Sequence, residues 1–178
     1  MSDLINNIWF TRKARIQASE RLSMNGLHAQ LILIIYSLVN VGFSVAALKY
    51  NNFLNGESDI ALIIMSVSIL VLSMYITNID FKGKSSQFKD NYLKLQSLYE
   101  KAKSTEVEPT EEYIQLLSEC DNHKSIDDKF FRVTNRSSLS SRKPTPYEYI
   151  EVILYITVRK TILIFLYLAP LLLPLVLN

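Results

Sequence analysis

Two long apolar runs constrain this chain more than any other feature. The first covers Leu27 to Leu48 and the second Ile60 to Ile76, and neither contains Asp, Glu, Lys or Arg. As helices rising ~1.5 Å per residue they would be about 33 Å and about 26 Å long, against a hydrocarbon core of ~30 Å. A buried helical pair in a soluble core is disfavoured, because soluble helices of this length carry a charged face. The sequence predicts a hairpin that crosses a membrane twice.

The composition fits one small membrane protein with one soluble module. Of 178 residues, 49% are hydrophobic and 20% are charged, which leaves room for a polar section beside the hairpin. The formal net charge of +2 is too small to indicate direct nucleic-acid binding, which needs clustered Lys and Arg. Cys120 is the single cysteine, so an internal disulfide framework is excluded and a reducing cytoplasm is compatible.

The distribution of cations around the hairpin predicts its orientation. Basic residues precede the first run and follow the second, whereas the link between them has only Lys49. By the positive-inside rule both flanks are cytoplasmic and the link is outside. We therefore expect a multi-pass protein of the cell membrane with a cytoplasmic N-terminus. The flanking cations are Arg12, Lys13, Arg15 and Arg21 before the hairpin, and Lys82, Lys84, Lys89 and Lys94 after it.

Residues 1–26 precede the first span and contain a basic amphipathic helix, predicted from Asp3 to Leu22. Aromatic and basic side chains lie close together in it, as is typical of the lipid headgroup zone. One interpretation places this helix on the inner membrane surface, and the alternative packs it against the soluble module. The candidate inner-interface anchors are Trp9, Arg12, Lys13 and Arg15.

The spans and their link occupy residues 27–79, and residues 80–134 form a predicted cytoplasmic helical module. An amphipathic helix is expected over 86–103, a shorter one from Thr110 to about Cys120, and a brief helical turn near 126–132. Residues 135–146 read as a polar linker without an apolar period. Because no strand pattern of useful length occurs, the predicted fold class is an all-α membrane protein.

The C-terminal segment, residues 147–178, is hydrophobic and a candidate third membrane segment. Arg159 and Lys160 interrupt it, and residues 161–177 then run without a charge for ~26 Å, a marginal length for a span. Pro170 and Pro174 each remove a helix hydrogen bond, which membrane helices tolerate. A third span is favoured over a re-entrant or surface-lying helix.

Polar residues recur on one face of the first span and, more weakly, of the second. Such a stripe meets either another helix or water. Hydrogen bonding between helices is one interpretation, helped by the small residues Gly42 and Ala46. The other is a pore, with Asn40 near mid-depth, which requires several copies because two spans cannot enclose a channel. The candidate pore-lining residues are Gln30, Ser37, Asn40, Ser44, Ser66, Ser73 and Thr77.

The sequence offers little for catalysis. Cys120 and His123 have a spacing that places two metal ligands on one helical face, but two ligands do not make a zinc site. A glycine-rich phosphate loop and a nucleophile elbow are both missing from the sequence. We expect no enzymatic activity, no metal and no cofactor.

Three features in order resemble one known family. The basic helix Arg12–Leu22 is followed by the two-span hairpin, and then by Tyr113–Leu117 leading into Cys120-Asp-Asn-His123. This order, over roughly residues 8–130, resembles the SLATT family of bacterial two-transmembrane effectors. The apolar tail after Thr161 is less clearly part of the shared pattern.

The resemblance implies a biological context that composition and spacing do not supply. It implies an inner-membrane effector that forms pores or perturbs the membrane and kills the infected cell in antiphage defence. Its implied partners are the lipid bilayer, further copies of itself, and a nucleotide-signal synthase, a nucleotide sensor or a reverse transcriptase. Two other functions stay open: a membrane anchor or scaffold for a cytosolic partner, and a small transporter subunit.

Overall fold

The computed structural model describes residues 3–50, 58–104 and 109–177, with side chains omitted for 58 and 173–177. Most of the predicted link between the two spans therefore lies outside the described residues. Throughout the described part the secondary structure is helical, without a strand, which confirms the predicted fold class. The α-helices are α1 (Asp3–Lys49), α2 (Ser58–Ile79), α3 (Phe81–Ser104), α4 (Thr110–Ser118), α5 (Ser125–Thr134) and α6 (Pro146–Leu177), with one 3₁₀ helix (Arg136–Ser138).

These helices divide into two compact units. Residues 1–24 and 81–156 form one unit, the helical module, and residues 25–80 and 157–178 form the other, the apolar bundle. Sequence reasoning set the corresponding boundaries after residues 26, 79 and 146. The last of these differs because the first part of α6 belongs to the helical module.

The N-terminal helix and the first span, predicted as separate elements, are one helix of 47 residues. No proline separates them, and Gly26 alone costs a helix only about 1 kcal/mol. The chain does turn between α2 and α3, at Asp80, whose φ of 51° lies in the left-handed region. Asp tolerates this conformation better than most residues, and the Asp80 amide donates to the Thr77 carbonyl oxygen over 3.2 Å.

The core of the helical module forms where α1 meets α3. Ile8 packs with Leu95, Leu98, Tyr99 and Ala102, and all five are buried. The apolar face predicted for residues 86–103 is thus confirmed, and it is covered by the chain's own first helix.

A second core cluster joins Phe10 of α1, Phe131 of α5 and Leu139. Leu139 belongs to the segment predicted as a polar linker, residues 135–146. In the structure that segment contains a 3₁₀ helix, and both Leu139 and Pro144 are buried. A single apolar side chain has no periodic spacing, so the sequence pattern does not predict that Leu139 is buried.

Three helices in the described part of the chain, α1, α2 and α6, are long and apolar enough to cross a membrane. Almost no residue in the most apolar stretch of each helix is buried inside the chain; Leu38, Val67 and Ile164 are examples of exposed side chains. A soluble protein rarely exposes so much contiguous apolar surface. The apolar bundle is therefore a membrane structure.

Candidate functional site

The polar stripe on α1 meets α2 at one position. The Asn40 Nδ2 amide donates a hydrogen bond of 2.8 Å to the Ser66 hydroxyl oxygen. The Asn40 Oδ1 atom is buried and has no partner among the described residues. Leaving such a buried acceptor unsatisfied costs about 1–3 kcal/mol.

Four of the five hydroxyl groups of the stripe are bonded to their own helices. Each donates to the carbonyl oxygen four residues earlier, at 2.8 or 2.9 Å; the donors are Ser37, Ser44, Ser66 and Thr77. Their protons are therefore occupied, whereas their lone pairs can still accept. Gln30, Ser37, Ser66 and Thr77 are exposed on the isolated chain, and Ser44 and Ser73 are half-buried. The structure brings Asn40 and Ser66 together, and leaves much of the stripe facing outward.

Gly42 does not mark a close contact between helices of the same chain. A methyl group added at this position would meet no atom within 4 Å outside the glycine's immediate backbone neighbourhood. Among the described residues Gly42 therefore adds no close packing, whereas the Asn40–Ser66 bond is a hydrogen bond between helices of the kind that the first interpretation of the stripe predicts.

Two hydrogen bonds that sequence reasoning missed join α1 to α6 within the apolar bundle. Arg159 Nη2 donates to Asn25 Oδ1 over 2.8 Å, and His28 Nδ1 lies 2.9 Å from the Tyr167 hydroxyl. The contacts follow the same order along both helices, so this part of α6 runs parallel to α1. Pairs of polar residues in otherwise apolar helices were the available signal, but the sequence does not show which of them meet.

The four candidate interface anchors lie in the helical module, where they pack against other side chains and backbone of the chain. Arg15 is fully buried. It donates to Asn91 Oδ1 and to the carbonyl oxygens of Leu116 and Leu117, at 3.0 and 3.3 Å. Burial lowers the pKa of Arg15, and no ion pair is recorded for it among the described residues. Its charge instead meets the C-terminal carbonyls of α4, where a helix dipole favours a cation.

The other three anchors, Trp9, Arg12 and Lys13, all make contacts with aromatic rings. Arg12 is buried over the ring of Tyr99, 5.5 Å from its centroid. Lys13 lies 5.7 Å from both the Trp9 and Phe131 rings, and Trp9 packs edge-on against Phe131 at 5.4 Å. Of the two interpretations of this helix, packing against the soluble module accounts for these contacts.

Ion pairs hold α5 in the helical module. Arg21 of α1 donates to both carboxylate oxygens of Asp127, at 2.7 and 3.0 Å. Arg132 binds Asp128 over 2.9 Å and also Glu148 of α6. The hydrogen bonds from Arg132 lower the pKa of Glu148 to about 2. Sequence reasoning missed these pairs, because most of them join residues far apart in the chain.

Cys120 and His123, the metal-like pair of the sequence, gain no further ligands. Among the described residues no group of three His, Cys, Asp or Glu side chains is placed to hold a metal ion. Burial raises the pKa of the Cys120 thiol and lowers that of His123, which favours the neutral form of both. Their chemistry in this structure is that of packed side chains.

A groove of about 360 Å³ lies between α3 and α4 in the helical module. Two ion pairs, Lys94 with Glu119 and Lys101 with Glu112, cross it. Since its cations are already neutralised by its own carboxylates, the groove has no net charge to attract an anionic ligand.

The exposed apolar helices together with a charged helical module agree with one known family. The sequence model of SMODS and SLOG-associating 2TM effector domain family 5, a SLATT family, matches residues 1–177. The chain belongs to the SLATT family. The match extends through α6, beyond the residues on which the sequence resemblance rested. No curated protein and no solved structure matched this SLATT protein. It is thus a transmembrane effector of a family associated with SMODS and SLOG conflict systems.

Proposed function

We propose that this SLATT protein forms a pore in the bacterial inner membrane, and that the pore collapses the membrane gradient of an infected cell. The observation that carries the proposal is Asn40, whose Oδ1 is a buried acceptor without a partner in the described part of the chain. Near mid-depth in a membrane such an acceptor requires a donor, and because the atom is buried in the single chain, another copy or water supplies one only when the helices shift on assembly. A helix that served only as an anchor has no use for a polar group at this depth.

The exposed part of the stripe supports assembly from several copies. The Ser37 and Thr77 hydroxyls donate to their own helices, keep lone pairs that can accept a hydrogen bond, and are exposed. One chain has too few spans to surround water, so the stripes of several copies must converge on a common axis. The assembled stripes then offer water and ions a lining of hydroxyl and amide groups.

The hydrogen bonds between α1 and α6 support a topology with three spans. Asn25 and Arg159 lie side by side where the two helices enter the apolar layer, and the helices run parallel from there. With the N-terminus in the cytoplasm, as the positive-inside rule predicts, the C-terminal end of α6 is then outside. The family name specifies two spans, yet the family model matches through α6, so the proposed third span lies within the matched region.

Control by a conflict-system partner completes the proposal. A nucleotide-signal synthase, a nucleotide sensor or a reverse transcriptase would act on the helical module, without catalysis or direct nucleic-acid binding by this chain. A signal that binds the open assembly about 100-fold better than the closed state shifts the equilibrium by about 2.7 kcal/mol. That shift is enough to turn a minor open population into the major one.

The pore is tested by replacing the two central polar residues of the α1 stripe with leucine. Ser37→Leu combined with Asn40→Leu should abolish depolarisation in induced cells, read with a membrane-potential dye, while leaving membrane insertion intact. Ser68→Leu is the matched control, because Ser68 lies about 200° around α2 from Ser66, off the stripe. It should depolarise like the unmodified protein.

The alternative of an anchor or scaffold predicts a different result. In that case the double change would leave toxicity and ion leakage undiminished, and the pore assignment would be wrong. Saturable substrate uptake without depolarisation would instead favour a transporter subunit.

A further inference from the structure

The first part of α6, inside the helical module, exposes large apolar side chains. Tyr147, Ile150 and Leu154 are all exposed, although this part of the chain is otherwise folded around two apolar cores. By contrast, the apolar face of α3, which is the obvious place for association, is covered by α1. The helical module therefore has an uncovered apolar face on α6.

The exposed surface of α6 also includes Ile153, Val158, Ile162 and Phe165, and within it one line of residues follows a seven-residue repeat. Residues 147, 150 and 154 are three and four apart, the spacing of core positions in a coiled coil. The same spacing continues along α6 through Thr157, Thr161 and Ile164 to residues 168 and 171. We call these eight positions the α6 seam: Tyr147, Ile150, Leu154, Thr157, Thr161, Ile164, Leu168 and Leu171, all of them exposed.

No charged residue of α6 lies on the seam. The helix carries four charged residues, and each lies between seam positions: Glu148, Glu151, Arg159 and Lys160. Glu148 and Glu151 are already paired with Arg132 and Lys129 of the helical module. The seam therefore stays free of charge even between Glu148 and Lys160. A surface that becomes buried against another protein should be free of charge, because an unpaired charge is costly to bury.

Lipid does not account for the first part of the seam. This step rests on the third span of the proposed function, in which Arg159 marks the inner edge of the apolar layer. Tyr147 precedes Arg159 by 12 residues, or about 18 Å of helix. The headgroup layer adds only about 5–8 Å on each side of the hydrocarbon, and even a tilt of about 40° leaves Tyr147 ~14 Å away. Tyr147 and Ile150 therefore face water unless protein covers them.

We propose that α6 helices of two or more copies dock along the seam as a parallel bundle. Copies inserted in one membrane share one orientation, so each residue meets its own equivalent at the same depth. A self-contact of this kind must be free of charge, because Glu151 or Lys160 on the seam would oppose a like charge. Thr157 and Thr161 are small, so they allow close approach and can hydrogen-bond across the contact.

Disulfide trapping tests the seam in the full-length protein in membranes. With Cys120 replaced by Ser, cysteine is introduced at Ile150, on the seam, or at Ile114 on α4 as the matched control. The two isoleucines are similarly exposed, at 65% and 59%. Because a disulfide needs Cα atoms within about 7 Å, mild oxidation should trap a homodimer several times more completely from Ile150→Cys than from Ile114→Cys. Leu154→Cys should behave like Ile150→Cys.

A charge placed on the seam provides a second readout. Ile150→Glu should strongly reduce trapping through Leu154→Cys, whereas Ile114→Glu should leave it unchanged. Equal trapping from Ile150→Cys and Ile114→Cys would overturn the seam. The absence of a homodimer from all three of Tyr147→Cys, Ile150→Cys and Leu154→Cys would overturn it as well. So would a crosslink to a chain of another mass.

The position of a C-terminal tag separates this inference from the proposed topology. A tag outside the cell together with trapping at position 150 supports both. A tag outside without trapping overturns the seam alone, and a cytoplasmic tag overturns the third span. Depolarisation is not needed for either readout, so failure of the pore leaves the seam test intact.

Discussion

The buried ion pair between Arg21 and Asp127 allows the packing of the helical module to be tested in free energy. The two side chains are only 12% and 3% exposed, and they are joined by two short hydrogen bonds. Asp127→Asn keeps the shape of the side chain but leaves the Arg21 charge buried without a counter-charge. Breaking a buried pair from one side costs about 3–5 kcal/mol, so the folding equilibrium of the module should fall by about 10²- to 4 × 10³-fold. That loss is a large part of the ~5–15 kcal/mol that stabilises a typical domain.

Trp9 makes this loss measurable. It is the single tryptophan of the chain, and its ring packs edge-on against Phe131 of α5, the helix that Asp127 holds. Urea unfolding in detergent micelles, followed by Trp9 emission, should therefore report the separation of α1 from α5. The urea midpoint should fall with an unchanged slope, since the substitution alters stability and not the surface exposed on unfolding.

An exposed pair provides the control. Lys94 and Glu119 are 56% and 32% exposed, so Glu119→Gln should cost less than about 1 kcal/mol. Replacing both members of the buried pair, as Arg21→Met with Asp127→Leu, should recover most of the loss. It should not recover all of it, because Asp127 also accepts the Lys124 amide hydrogen bond that begins α5, worth about 1 kcal/mol. If Asp127→Asn costs no more than Glu119→Gln, the reasoning is wrong.

Three further predictions concern the same module. Glu148 has its pKa lowered from 4.5 to about 2, so its pairing with Arg132 stabilises the fold above pH 4.5 and is lost as the pH falls toward 2. Glu148→Gln should therefore weaken the pH dependence of the urea midpoint between about pH 5 and about pH 3. The same pH dependence in this variant as in the unmodified protein would contradict the prediction. Burial lowers the pKa of His123 below its ordinary 6.5, so the urea midpoint should fall as the pH drops from 6.5 toward the lowered pKa. His123→Gln should remove this fall in the same titration. Arg15→Met removes the donor to the Leu116 and Leu117 carbonyls, so amide hydrogen exchange in residues 110–118 should accelerate; exchange at the wild-type rate would refute that role.

Several elements were predictable because their signal is local. The face of α3 follows from apolar residues three or four positions apart, and Leu95 and Tyr99 are buried as that spacing predicts. The α4 helix was placed from Thr110 to about Cys120 and ends at Ser118. Residues 135–146 were misjudged because one buried Leu139 leaves no periodic trace.

The function of the basic N-terminal residues could not be read in the same way. Arg12, Lys13 and Arg15 have the composition of a membrane-surface helix. Their burial depends on Tyr99, Phe131 and the end of α4, partners that lie far along the chain. Composition describes a helix by itself, whereas burial depends on what packs against it.

The sequence by itself determined that this protein is helical and enters a membrane. Transferring a long charge-free run into hydrocarbon depends on the run's own composition, and so does its helical hydrogen bonding. Only the tertiary structure decided which polar groups meet. It paired Asn40 with Ser66 and Arg159 with Asn25, buried Arg15, and left the α6 seam uncovered. Those outcomes depend on long-range packing, because hydrogen bonds and burial are properties of pairs of elements.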